Sequence, residues 1–121
     1  MLTHKELAWL KSLQSKKDRD QERCFLVDNP KVISEHKKSK YFKKLYVTES
    51  ASLKYQKYWL NTDYTIIRQA ELKKISPSTT PQGAIAVFVF FAEIKFSHTP
   101  SVVLLLDGLQ DPGNIGTILR T

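Results

Sequence analysis

The chain has 121 residues, 41% of them hydrophobic and 26% charged, which suits one soluble domain with a proper core. Its 19 lysines and arginines outnumber 12 acids, and the net charge of +7 favours a polyanionic partner, nucleic acid above all. A lone cysteine, Cys24, excludes an internal disulfide and a CxxC metal pair, and it reads as a small core residue. The N-terminus carries Lys5 and Glu6 amid scattered apolar residues, so it is no signal peptide. The longest apolar run, Ala84 to Ala92, is too short to cross a bilayer, and the expected compartment is a reducing cytoplasm.

In chain order, Leu2, Leu7, Leu10 and Leu13 recur at helical spacing, predicting a helix over 3–14 capped by Thr3. A charged loop is expected over Ser15–Arg23, then a short buried strand at Cys24–Val27. Asp28-Asn29-Pro30 stops that strand, and Pro30 suits the first turn of a short helix carrying Val32 and Ile33. Leu45–Thr48 reads as the next strand, followed by a helix capped at Ser50 or Ser52 and bearing Leu53, Tyr58, Trp59 and Leu60. Tyr64–Ile67 predicts a third strand, and Gln69–Lys74 a turn or two of helix. The loop Ser76–Gln82 leads into Ala84–Phe91, whose unbroken apolar character suits a central strand covered on both faces. Strands alternating with helices imply an α/β fold, a small three-layer α/β/α sandwich around a mostly parallel sheet. Ser97–Pro100 reads as a linker, giving a first domain at 1–97 and the opening of a second at 98–121.

The last stretch is the most specific. A bare apolar run, Val102–Leu106, precedes Asp107-Gly108-Leu109-Gln110-Asp111-Pro112-Gly113-Asn114-Ile115-Gly116-Thr117-Ile118-Leu119-Arg120-Thr121. The order is strand, glycine-rich turn, helix, with Asp111 as N-cap and Pro112 at the first helical position. Gly113 and Gly116 admit close approach of a ligand or another backbone. Asn114 lies in the first turn, and Arg120, six residues on, points to another side of the helix within reach of the same cleft. A plain strand-turn-helix with packing glycines would look similar. Gly113–Gly116 also fits the GxxG of a KH domain, but a KH loop joins two helices. Neither a Walker A lysine nor GxGxxG is present. The sequence ends within this helix, so the expectation is a truncated second domain, and a 98–121 tail that is disordered or pairs with another copy.

The whole string from Leu104 to Thr121 resembles the first signature motif of the SpoU-like (TrmH-type) RNA 2′-O-ribose methyltransferases of the SPOUT class. Lys16-Lys17-Asp18-Arg19 followed by Cys24–Val27 looks like that family's basic turn and first strand. Thr80-Pro81-Gln82-Gly83-Ala84 looks like the Gln-Gly loop closing its substrate-binding domain. The resemblance implies a ribosomal-protein-like RNA-binding domain, then the first strand and helix start of a knotted domain that binds S-adenosylmethionine and forms homodimers. It implies that Asn114 organises the active site and that Arg120 contacts the target ribose or phosphate. Arginine's high pKa makes it a positioning and electrostatic group rather than a general base. Where the family has Glu-Gly after its first strand, this chain has Asp28-Asn29, and Asn29 is expected to take the left-handed conformation that Gly would supply. The later motifs for the cofactor pocket and dimer surface are absent, so no cofactor-binding residue is assigned and this chain alone is expected to bind RNA without methylating it.

Lys16, Lys17, Arg19 and Arg23 form the expected phosphate-contacting rim, with Gln82 from the closing loop. Lys37, Lys38, Lys40, Lys43 and Lys44 interleave with Tyr41 and Phe42, which suits either backbone contacts beside a stacked base or, the favoured reading, a solvated face with aromatics turned inward. His4, His36 and His98 lack ligand spacing, so no metal is expected, and Trp9 and Trp59 read as core. The expected partner is ribosomal or transfer RNA. The alternatives are a stand-alone, non-catalytic RNA-binding adaptor and a generic α/β domain whose basic face serves solubility.

Overall fold

Ala84–Val89 lies at the centre of the sheet because it has nothing polar to expose: five of its six residues are buried. The computed structural model describes residues 2–93 and 101–121. Among them the elements run α1 (His4–Ser12), α2 (Lys16–Glu22), β1 (Cys24–Val27), α3 (Pro30–His36), β2 (Phe42–Thr48), α4 (Glu49–Lys54), a 3₁₀ turn (Gln56–Trp59), β3 (Thr65–Ile67), α5 (Gln69–Ile75), β4 (Ala84–Val89) and α6 (Pro112–Arg120). One sheet has the order β1-β4-β2-β3.

The expected mostly parallel sheet is corrected to a mixed one. β4 pairs antiparallel with both β1 (Leu26 opposite Val87) and β2 (Tyr46 opposite Ile85), and only β2 and β3 are parallel. The cause lies after α5. That helix and the loop after it do not carry the chain to the opposite end of the sheet. The loop over 76–82 then brings the chain back to the end where β2 finishes, and Thr48 N donates to Gly83 O there at 2.8 Å. A strand entering at that end must run against β2.

Alternate side chains divide the interior into two clusters. Ile85, Val87 and Tyr46 join Leu10 and Leu13 of α1 and Leu72 and Ile75 of α5. Ala84, Ala86, Phe88, Leu45 and Val47 join Ile33 of α3, Ala51 of α4 and Trp59. Cys24 and Trp59 are buried as expected, and half-buried Trp9 packs against the first cluster.

Several local expectations are corrected by capping chemistry. Ser15–Arg23 is a helix rather than a loop: the Ser15 side chain accepts from Asp18 N, and Arg23 ends the helix in the left-handed region at φ 56°. Lacking any buried residue, α2 has no apolar period to announce it. Thr48, not Ser50 or Ser52, caps α4, which stops at Lys54 and gives way to the 3₁₀ turn. Asn29 is extended (φ −100°) rather than left-handed, because its side chain is the N-cap, accepting from Lys31 N and Val32 N. Val102–Leu106 is in no strand, and Val102 and Leu105 are 83% and 85% exposed. Residues 112–120 are helical, so the expectation of a structureless tail does not hold there. The proposed linker at 97–100 and His98 lie outside the described residues.

Gly83 takes φ +92°, and a Cβ there would collide with the Ala51 side chain. Gly83→Ala is therefore expected to lower stability by about 1–3 kcal/mol, from overpacking and backbone strain together. Ile85→Ala, at a fully buried position, should cost about 2–5 kcal/mol. Urea denaturation of the two variants checks both values.

Candidate nucleic-acid interface

The expected basic rim falls on α2 and its exit. Lys16 and Lys17 occupy the first turn and are exposed. Their charges sit at the positive end of the helix, an unfavourable placement that Asp18 partly offsets. Arg19 is used structurally: its Nη1 donates to Leu13 O (3.0 Å) and Gln14 O (2.6 Å), satisfying carbonyls at the end of α1. Arg23 lies over the Phe90 ring, 4.8 Å from its centroid. The rim thus presents Lys16, Lys17 and Arg23, with Arg19 bent inward.

Gln82 is exposed at the opposite chain end of the sheet core, bordering a groove of about 540 Å³ with Ser50, Lys54, Tyr55 and Gln69. Asn114 and Arg120 share α6, and both are exposed. The cap there is as expected, with Asp111 accepting from Gly113 N at 2.9 Å and Pro112 first in the helix. Among the described residues no hydrogen bond or ion pair joins α6, the α2 rim and Gln82 to one another. The principal grooves are lined by residues between Phe25 and Phe91, and none includes 101–121.

Tyr41 and Phe42 turn inward, as favoured. The Tyr41 ring meets Phe91 with centroids 4.5 Å apart, and Phe42 meets Phe88 at 5.6 Å. Phe42 and Leu45 share one cluster although three residues apart, because a bulge interrupts the ladder between Phe42 and Lys44. Lys43 and Lys44 consequently both point outward.

Two carboxylates carry structural roles that apolar patterning does not reveal. Glu6 accepts from Lys44 Nζ at 2.5 Å and from the Tyr46 hydroxyl at 3.3 Å. The Lys44 hydrogen bond holds the Glu6 carboxyl below its usual range and raises the Lys44 ammonium; burial raises Tyr46. Glu71 is buried and accepts from Arg68 N (2.8 Å), Arg68 Nη2 (3.3 Å) and Leu2 N (3.4 Å). The Arg68 backbone bond is the largest cause of its lowered pKa. Its one legible signal was position, three residues after the N-cap of a predicted helix. No group of three metal-ligating side chains is found among the described residues.

Residues 5–86 match the MRM3-like substrate-binding domain family. The chain belongs to that family. It is 29% identical to the 23S rRNA (guanosine(2553)-2′-O)-methyltransferase RlmP of Bacillus subtilis over 92% of this chain and 44% of the relative. A solved structure from Porphyromonas gingivalis, assigned to the TrmH family of RNA methyltransferases, superposes with a TM-score of 0.72 at 33% identity, over 99% of this chain and 47% of the other. An RNA 2′-O ribose methyltransferase structure gives the same TM-score at 25% identity, over 98% of this chain and 48% of that one. The chain thus spans less than half the length of each of these relatives. The family is the SpoU/TrmH type that the terminal motif resembles.

The lowered pKa of Glu71 fixes the sign of a pH effect. A carboxyl depressed on folding contributes stability above its unfolded pKa and loses it as pH falls towards the folded value. Glu71→Gln should therefore cost about 1–3 kcal/mol at pH 7, and the variant should lose less stability than wild type below about pH 4.3. Urea midpoints measured from pH 7 to pH 3 decide it.

Proposed function

We propose that this chain is the RNA-gripping part of an S-adenosylmethionine-dependent RNA methyltransferase that acts on a ribose 2′-hydroxyl of ribosomal or transfer RNA in the cytoplasm. The observation carrying the reading is the family match over residues 5–86 together with near-complete superposition on TrmH-family enzymes. In this reading residues 1–97 form a three-layer substrate domain and 98–121 open a knotted SPOUT domain, whose remainder holds the methyl donor and forms the homodimer. The charge of +7 supports a polyanionic substrate.

The roles of individual residues follow from chemistry. Lys16, Lys17 and Arg23 contact phosphates, whereas Arg19 shapes the turn that presents them. Gln82 sits on the closing loop, where an exposed amide can donate to and accept from a base or ribose. On α6, Asn114 in the first turn orders the approach to the site. Arg120 supplies a positive charge to a ribose oxygen or its phosphate.

With a short rRNA fragment, the 121-residue chain alone should bind RNA and transfer no methyl group from S-adenosylmethionine. Affinity should fall steeply between 50 and 200 mM salt, by about tenfold or more if several phosphates are neutralised. Absence of binding at low salt would overturn the reading. When the chain is joined to the catalytic half of such an enzyme, Arg120→Ala should reduce kcat at least about a hundredfold without altering the melting temperature. Turnover within a factor of three of wild type removes Arg120 from the site.

A further inference from the structure

A second basic surface lies away from α2 and carries a more specific chemistry. The outer end of β2 and the segment leading into β3 enclose an open groove of about 390 Å³, bordered by Lys37, Lys38, Lys43, Lys44, Asn61 and Tyr64. Each wall is fixed by a local feature of the fold. On one side the bulge between Phe42 and Lys44 turns two successive lysines outward. On the other, Lys37 Nζ donates to Tyr58 O at 2.8 Å and Leu60 O at 2.7 Å, pinning the end of the 3₁₀ turn. Asn61 then takes the left-handed conformation, φ 56°, reversing the chain towards Tyr64.

The four lysines are not equivalent. Lys37 is committed to those carbonyls and Lys44 to Glu6. Lys43 lies over the Trp9 ring at 5.3 Å, and no acid pairs with it or with Lys38 among the described residues. Asp63 is the one acid lining the groove, so its charge stays positive. Tyr64 is 41% exposed, in contrast to Tyr41 and Phe42, which are partly buried and packed against the core.

Two uncompensated cations beside one accessible aromatic ring form the pattern that holds single-stranded nucleic acid: phosphates on the ammonium groups and a base on the ring. A duplex keeps its bases stacked internally and would offer Tyr64 none. We propose that this groove binds an unpaired RNA segment, with Lys38 and Lys43 on successive phosphates and a base stacked on Tyr64. The proposal rests on the RNA-binding reading above, but it adds a site distinct from the α2 rim.

The probe is a labelled ten-nucleotide single-stranded oligoadenylate titrated into the 121-residue chain, with folding of every variant checked by circular dichroism. The Lys38→Ala/Lys43→Ala double variant should bind more weakly, and its slope of log affinity against log salt should be shallower than wild type by about 1.4. Tyr64→Ala should weaken binding about tenfold, while Tyr64→Phe, which keeps the ring, should bind like wild type. Amide shifts on titration should cluster at 37–44 and 60–65. If wild type binds no RNA of any form, both this site and the RNA-binding reading fall. If wild type binds but the lysine and Tyr64 variants match it, or a ten-base-pair RNA duplex competes equally well, the groove is overturned while the broader reading stands.

Discussion

Everything in this fold depends on one strand being apolar on both sides. β4 pairs with β1 along one edge and β2 along the other, so removing it detaches β1 and leaves only the β2–β3 pair. Its odd and even residues feed separate clusters, one closed by α1 and α5, the other by α3, α4 and the 3₁₀ turn. The two clusters are therefore joined through the sheet, with β4 and β2 each contributing side chains to both. The entry point is equally constrained, because only glycine fits between Ala51 and the turn at φ +92°. That places Gln82 outside the core, one residue before the constraint, and fixes its position relative to α4 and α5 without any side-chain contact of its own.

The polar groups follow a related economy. Where a helix end or chain terminus is buried, a side chain from elsewhere supplies the missing partner. Glu71 satisfies the backbone of Arg68 and Leu2, and Arg19 the carbonyls ending α1. These groups are held in one arrangement by several hydrogen bonds each, which is why they carry structure. In the proposed readings, recognition falls to charges without acidic partners among the described residues: Lys16 and Lys17 on α2, Lys38 in the turn before β2 and Lys43 on β2. Among the described residues only two ion pairs form, Lys44 with Glu6 and Arg68 with Glu71.

How much of this was legible depended on what kind of signal an element carries. β1, β3, β4, α1, α3 and α5 announced themselves through apolar runs or spacing, and Thr3, Pro30, Asp111 and Pro112 through capping chemistry. Strand direction was hidden, because alternation of strands and helices says nothing about whether a short helix can cross the sheet. α2 was hidden because a helix with no buried face has no period. Asn29 misled in a different way: its side chain caps α3, so the backbone conformation inferred by analogy with glycine was not required. For the candidate site, residue identity was legible but commitment was not. Arg19 belongs to the same basic cluster as Lys16 and Lys17, yet only its hydrogen bonds to Leu13 and Gln14 show that it faces inward.

Residues 102–121 pose the inverse problem: their motif is the most specific in the chain, yet their packing is the least complete. α6 is nine residues long, a length at which an isolated helix in water is marginal. Local chemistry supports it through the Asp111 cap, Pro112 at the first position and the Thr117 hydroxyl on Gly113 O. No residue of it is buried, and Leu119 is largely exposed. The same holds for the apolar run before it, which contributes to neither cluster. Burial of such a run against a second surface would contribute about 1.5–3 kcal/mol per side chain, far more than caps can supply. In the proposed reading, where this segment opens a cofactor-binding half, such local order with an exposed apolar face fits, since the glycines can accept a close neighbour only once that neighbour's backbone is brought against them.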